Sequence, residues 1–452
     1  MSMETAAADQ TRRSFAAISI DFFERYMPDP FILAIGLAVL VVAAAAAAAP
    51  HGTWSVILTS WYSGMFGILG FAFQMILILV TGHALAYSPP CMRGLKWLVA
   101  KVRTPNQAVV LTFLTAALAS WISWGFGLVI AAVLAREVAK QVRVDFAWLV
   151  ASAYSGFVIY ASGPSASIPV SQASHGNALN IVEKVTGHIV PFTQTTFAPF
   201  NLVPMFLILV VMPFVLLWVR PRGAEVQVFV PPQETRPAPA APAGDCLARR
   251  LEHSPLGTLF LVLAGIGYAG VAIAEGKLDF DINFIIFIFL TAGLAAHRTP
   301  MAYAAAVKNA ASQTGPLMLQ FPIYGGIMGV MTATGLAEQI SRGIEGFATA
   351  HTLPLFSFIS SIFISMIVPS GGGHWAVQGP FTIPAAVALN ASIPATTMAV
   401  AMGEEVANML QPFWALPVVA IAGIGIQRVL GLTIMTFIVS TLIFAAALLL
   451  LV

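Results

Sequence analysis

Glu404, Asn408 and Gln411 stand at i, i+4 and i+7 in Gly403-Glu404-Glu405-Val406-Ala407-Asn408 and the residues that follow, a spacing that puts them on one helix face. An acid flanked by amides on one face can take up a proton or hold a cation. Glu405 is rotated by about 100° from that face and reads as a helper. A second group carries hydroxyls and glycines: Trp121-Ile122-Ser123-Trp124-Gly125-Phe126-Gly127, Ser162-Gly163-Pro164-Ser165 and Pro369-Ser370-Gly371-Gly372-Gly373-His374-Trp375. Hydroxyls of Ser123, Ser162, Ser165 and Ser370 can donate to an anion or accept from a cation's shell. Gly371, Gly372 and Gly373, with Gly125 in the first run, let backbone approach a ligand closely. His374 can donate to a carboxylate or titrate near neutral pH, with a hydrogen-bonded structural histidine as the competing reading. Trp121, Trp124, Trp375 and Trp414 read as cavity walls, or as interface anchors; His83 and His175 read as structural or solvated.

The elements that position these residues are membrane helices. Hydrophobic residues make up 58% of the 452-residue chain and charged residues 9%, with a mean hydropathy of +0.87; a soluble domain carries about 25% charged residues. A net charge of +2 argues against a nucleic-acid surface, which concentrates Lys and Arg. Cys91 and Cys246 fall in segments assigned to the cytoplasm and are expected as free thiols. No Lys or Arg falls in the middle of a span, and no cofactor is implied.

Hydropathy predicts an all-α polytopic protein with nine transmembrane helices, two of them broken, and two re-entrant hairpins. The spans are about 30–49, 67–87, 147–170 (broken), 197–219, 256–275, 280–297, 316–336, 394–421 (broken) and 430–451, and the hairpins about 107–142 and 355–390. Residues 1–29 form a cytoplasmic or interfacial segment, with an interfacial helix at Ser14 to Met27, and the run at Phe31 to Val42 reads as a span rather than a cleaved signal. The first repeat is 30–219, an Ala/Pro-rich linker falls in 220–255, a connecting helix in 256–279, and the second repeat in 280–452. Trp54 to Phe66 is expected to lie along the outer interface.

With the N-terminus in the cytoplasm, 18 of the 21 Lys and Arg residues fall inside, leaving Lys184, Lys277 and Arg342 outside, as the positive-inside rule requires. The first hairpin then enters from the cytoplasm and the second from outside. Sliding Ser120 to Val170 onto Val368 to Val418 pairs Gly125 with Gly373 and Pro164 with Pro412. Five spans precede the second unit, so the two copies are inverted, and paired helix breaks in such copies point to a midplane site. Irregular backbone at that depth must be buried in protein or line a watery cavity. Half-helices that begin there present N–H groups and a positive dipole end suited to a carboxylate. Glu404 sits about 15 Å into its span, close to the midplane, where an acid usually marks an ion or substrate pathway.

The candidate site is therefore Ser123, Trp124, Gly125, Ser162, Ser165, Ser370, Gly371, Gly372, Gly373, His374, Asn408 and Gln411 for substrate, with Glu404 for coupling to H⁺ or Na⁺. A Na⁺ near Ser162, Glu404 and Asn408 is the one metal position considered. Dipoles and polar side chains in place of cationic ones favour a small substrate of low charge.

Several of these motifs carry a resemblance. The run from Pro369 to Trp375 with Gln378-Gly379-Pro380, Gly403-Glu404 with Asn408, Gln411-Pro412-Phe413-Trp414-Ala415-Leu416-Pro417, Trp124-Gly125-Phe126-Gly127 and Val80-Thr81-Gly82-His83-Ala84-Leu85-Ala86 resemble the short-chain fatty acid transporter family. That is the acetoacetate/butyrate permease type of the ion transporter superfamily, and the likeness runs over about residues 15–450. It implies a bacterial inner-membrane uptake system for short monocarboxylates; the wider superfamily implies a homodimer and an elevator-like mechanism. The chain departs from the family pattern at Glu405-Val406-Ala407 and at Pro164-Ser165-Ala166-Ser167. Two other readings compete: the same architecture carrying dicarboxylates or other small carboxylates, and an intramembrane hydrolase, for which no Gly-x-Ser-x-Gly elbow occurs.

Overall fold

The structure is a computed structural model that describes residues 30–221, 247–275, 281–312, 314–422 and 424–452. The expected segment 1–29 with its interfacial helix, most of the linker in 220–255, Cys246 and Lys277 lie outside the described residues. Every regular element among the described residues is a helix. Helix α1 is Pro30–Ala48; α2 (Trp54–Gly67) and α3 (Leu69–Ala86) run on through Ile68 as one 33-residue helix. The segment Trp54 to Phe66 therefore does not lie along the outer interface. Its glycine notch is the reason. A Cβ on Gly64 would fall 2.3 Å from the Gly325 carbonyl oxygen, and one on Gly329 2.3 Å from that of Ser60, so α2 stands against a facing helix at the close distance only small residues allow.

A short helix α4 (Pro89–Val99) leads to α5 (Pro105–Ile122) and α6 (Trp124–Gln141), which meet at Ser123. The first broken span follows as α7 (Phe146–Ser155), a 3₁₀ segment Gly156–Ser162 and α8 (Ser167–Gln172). Then come α9 (Ile181–Thr186), α10 (Pro199–Trp218), α11 (Leu247–Glu252), α12 (Pro255–Ala274), α13 (Ile282–His297) and α14 (Pro300–Ala311). Helix α15 (Gly315–Ala333), the partner of α2, bends by 71° into α16 (Leu336–Glu345). The chain ends with α17 (Leu353–Ser365), α18 (Gly371–Ala388), α19 (Ile393–Ala407), α20 (Pro412–Ala422) and α21 (Ile426–Leu450).

Six of the nine expected spans coincide with helices long and apolar enough to cross a membrane; the seventh such helix among the described residues is Pro105–Ile122, the first arm of the first hairpin. The remaining three expected spans differ. Ile282–His297 has only 16 residues, about 24 Å at the helical rise; the span near 316–336 belongs to the bent pair; and that at 394–421 is two helices parted at Asn408 to Gln411. These apolar helices make the chain a multi-pass membrane protein.

Burial sorts the helices. The apolar window of Phe146–Gln172 is 100% buried inside the protein, against 17% for that of Arg250–Ala274. The interrupted backbone is thus sheltered by protein, as its unpaired polar groups require, while α12 offers Leu256, Phe260 and Ile266 to its surroundings. The order of elements also repeats. Helices α5, α6 and α7 begin at 105, 124 and 146, and α17, α18 and α19 at 353, 371 and 393. Matching glycines set the matching contacts: a Cβ on Gly156 would lie 2.8 Å from the Phe113 carbonyl oxygen of α5, and one on Gly403 2.4 Å from that of Phe358 of α17.

Candidate functional site

Each helix break is fixed locally before it joins the site. Ser123 leaves helical geometry with φ −156° and ψ 126° and caps α6, its Oγ accepting from the Phe126 N–H at 3.5 Å. The first hairpin is tight: a Cβ on Gly127 would fall 2.1 Å from Ser120 Oγ. Its tip lies on the first break, where the Trp124 N–H donates to Ser165 Oγ at 3.3 Å and Trp121 Nε1 donates to the Ser162 carbonyl at 3.2 Å. Asn201 Nδ2 donates to the same carbonyl at 3.1 Å. Ser370 opens α18 at φ −146° without a side-chain cap, so the first N–H groups of that helix keep no partner from the cap.

The ends meet around a small, partly open pocket lined by Met75, Trp124, Phe157, Tyr160, Ser167, Leu317, Phe321, Ser370, Gly371 and Trp414. The starts of α6, α18 and α20 all reach it. A Cβ on Gly371 would lie 3.4 Å from the Tyr160 hydroxyl and 3.5 Å from Ser167 Oγ, so an uncapped helix start and two hydroxyls share one corner. The rest is apolar: Trp124 and Trp414 pack edge to face at 5.3 Å, and Phe157 stacks on Tyr160 at 4.4 Å. Among the described residues no Lys or Arg lines the space. A helix start and hydroxyls can hold an anionic group, and beside an apolar wall burial of each CH₂ contributes about 0.8 kcal/mol.

Behind Tyr160 runs a polar chain with almost no exposure. The Tyr160 hydroxyl donates to Glu404 Oε2, and Asn408 Nδ2 donates to Glu404 Oε1 at 3.1 Å. Gln411 Nε2 donates to Asn408 Oδ1 and, at 3.3 Å, to Ser365 Oγ. Tyr154 donates to the Asn408 carbonyl at 2.8 Å. Glu405 does not point to an unrelated face. It accepts the Ala161 N–H at 2.9 Å, so adjacent acids grip adjacent residues of one 3₁₀ segment that lies across both side chains. The Na⁺ reading for Ser162, Glu404 and Asn408 fits poorly: both Glu404 oxygens and Asn408 Oδ1 already accept from amide or phenol donors. Among the described residues no cluster of three metal-ligating side chains occurs.

Of the residues singled out in the sequence, Trp124, Ser370 and Gly371 line the cavity. Ser123, Ser165, Asn408 and Gln411 stand behind it as caps and relay members. Ser162 contributes its carbonyl, while its buried Oγ has no partner. Gly125, Gly372 and Gly373 serve packing: added Cβ atoms would meet the Leu79 Cα at 2.9 Å, the Phe71 ring at 2.4 Å and the Tyr324 ring at 2.3 Å. His374 faces away from the cavity, Nε2 lying 3.0 Å from Ser361 Oγ and 2.6 Å from Gln378 Oε1. Trp375 is not a wall but donates to the Leu179 carbonyl at 3.0 Å. Sequence reasoning missed Tyr160, Phe157 and Ser167. The available signal was the phenol of Tyr160 in an apolar run just before a break, since a buried Tyr hydroxyl needs a partner.

A family model for "Short chain fatty acid transporter" matches residues 12–451. A provisionally named short-chain fatty acid transporter of Escherichia coli (strain K12) is 39% identical over 436 residues, 94% of this chain and 97% of that protein. Its similarly named counterpart in Haemophilus influenzae is 37% identical over 433 residues, 94% of this chain and 95% of that protein. The YdaH transporter of Alcanivorax borkumensis, whose crystal structure is described as having an unusual topology, superposes with a TM-score of 0.59 at 17% identity, over 93% of this chain and 98% of that one. That likeness concerns the fold. These relatives move solutes rather than transform them, and a small-molecule cargo and a membrane setting follow from the family. With interrupted helices closing on one apolar chamber and a match over nearly its whole length, the chain belongs to the short-chain fatty acid transporter family.

Proposed function

We propose that the protein takes up short monocarboxylates such as butyrate or acetoacetate by cation-coupled symport across a bacterial inner membrane. The observation that carries this reading is the shared corner of Gly371, Tyr160 and Ser167, which offers donors for one carboxylate beside an apolar wall and contacts the buried acid Glu404 through Tyr160. On this proposal the two hairpins enter from opposite faces and the halves are inverted copies. The repeated element order and the matched Gly156 and Gly403 contacts support two copies of one unit, and the odd number of expected spans before the second supports inversion. In this reading the hairpins and broken helices move together in an elevator-like step against a scaffold containing α2, α3 and α15. That scaffold forms a homodimer in lipid, and the N-terminus is cytoplasmic. A second carboxylate finds no cationic partner in the cavity, which argues against dicarboxylate cargo.

Counterflow of labelled butyrate in proteoliposomes tests the reading. Butyrate and acetoacetate should compete and succinate should not, and imposed pH and sodium gradients, applied separately, identify the coupling ion by which one drives accumulation. Equal competition by succinate would overturn the monocarboxylate assignment.

A further inference from the structure

We infer that the Tyr160 hydroxyl is a two-position switch that makes substrate binding require a proton on Glu404; the inference rests on the monocarboxylate reading above and specifies how its coupling works. Tyr160 is the residue that both lines the cavity and touches Glu404. Its ring is pinned by the parallel stack on Phe157, with centroids 4.4 Å apart and planes 11° apart, so the freedom that matters is rotation of the hydroxyl hydrogen about its C–O bond. Without substrate that hydrogen points to Glu404, which accepts from Tyr160 and Asn408; in the switch this is the carboxylate state of Glu404.

A carboxylate arriving at the start of α18 competes for the same hydrogen. When the hydroxyl turns to the substrate, Glu404 keeps one donor, Asn408, and a buried charge so stripped of partners is costly. One proton from solution on Glu404 Oε2 removes the cost. The new Glu404 O–H then donates to the phenol oxygen, which still donates its own hydrogen to the substrate. The Tyr160–Glu404 contact survives with its direction reversed. One carboxylate and one proton enter together, no covalent bond of substrate or tyrosine breaks, and the buried cluster gains no net charge.

Other groups leave this role to Tyr160. On α19 the neighbour Glu405 is tied to the Ala161 N–H. Tyr154, in the same broken span, is spent on the Asn408 carbonyl. On α18 the buried titratable group is His374, turned to Ser361 and Gln378. The buried polar residues of α8, α17 and α21, among them Ser167, Ser361, Ser365 and Thr436, are serines, threonines and a glutamine and carry no charge.

The test is butyrate binding to the purified full-length protein, read by a pH dye in weak buffer and by infrared difference spectra. Wild type should take up about one proton per butyrate, with apparent Kd rising about tenfold per pH unit where Glu404 is ionised in the free protein. A protonated-carboxyl band should appear on binding and be absent in Glu404→Gln. In Tyr160→Phe the band and the proton uptake should be lost, and Kd should become independent of pH. Should Tyr160→Phe fail to fold, the wild-type and Glu404→Gln spectra still decide: butyrate binding without a new carboxyl band overturns the switch while leaving monocarboxylate transport standing. Proton uptake retained in Tyr160→Phe also overturns it. Absence of butyrate binding to wild type removes the transport reading, and the switch with it.

Discussion

Gly163 lies directly beneath Trp121: a Cβ at 163 would fall 2.0 Å from the Trp121 carbonyl oxygen and 3.1 Å from its Cα. The tip of the first hairpin and the first helix break are thus fitted backbone to backbone, and only a residue without a side chain closes that contact. Gly163→Ala should destabilise the protein by about 1–3 kcal/mol through overpacking and lower transport sharply. Gly36→Ala, in α1 with nothing within 4 Å of an added Cβ, serves as control. Thermal unfolding and counterflow of both variants decide the matter, and equal behaviour would contradict the fitted contact.

Asp145 joins two distant segments. It caps α7 through the Trp148 N–H at 2.8 Å and pairs with Arg428, at the start of α21, at 2.9 Å while only 3% exposed. Asp145→Asn retains an oxygen for the cap but removes the charge opposite the part-exposed Arg428, at a cost of about 1 kcal/mol; Asp145→Ala also loses the cap, adding about 1 kcal/mol. Unfolding midpoints should fall in that order. An Asn variant as stable as wild type would show that the pair contributes nothing.

Trp414 closes the apolar side of the cavity against Trp124. Trp414→Leu should lengthen the space available to an aliphatic tail. At about 0.8 kcal/mol per buried CH₂, hexanoate should gain about tenfold over butyrate in competing for uptake. An unchanged chain-length profile would place the tail elsewhere.

His374 is fully buried but turned from the chamber. His374→Ala leaves Gln378 Oε1 without its partner, whereas Ser361 Oγ keeps the Val400 carbonyl and Gln378 Nε2 the Ser357 carbonyl. The substitution should cost about 1–3 kcal/mol, while KM for butyrate stays within about twofold of wild type. A KM raised tenfold at preserved stability would return His374 to the binding site.

Much of this was legible in the sequence because it is local. Gly and Pro at Ser162-Gly163-Pro164 and at Gln411-Pro412 interrupt helices through their own backbone chemistry, and hydropathy needs no partner to declare a span. Glu404 and Asn408 bond at the i, i+4 spacing legible in the sequence, whereas Gln411 reaches Asn408 from the break beyond the end of α19. Which groups face the cargo is a property of packing between helices far apart in sequence. Gly372 and Gly373 look like a ligand cradle until Phe71 of α3 and Tyr324 of α15 are seen against them. Helix α18 is thereby seated with Gly371 toward the cavity and His374 toward α17. The sequence by itself determined a membrane protein with paired helix breaks and a deep acid, since those depend on residue type and neighbours along the chain. Only the tertiary structure decided that Tyr160 stands between chamber and acid, because 244 residues separate it from Glu404 and their meeting depends on how the two halves pack.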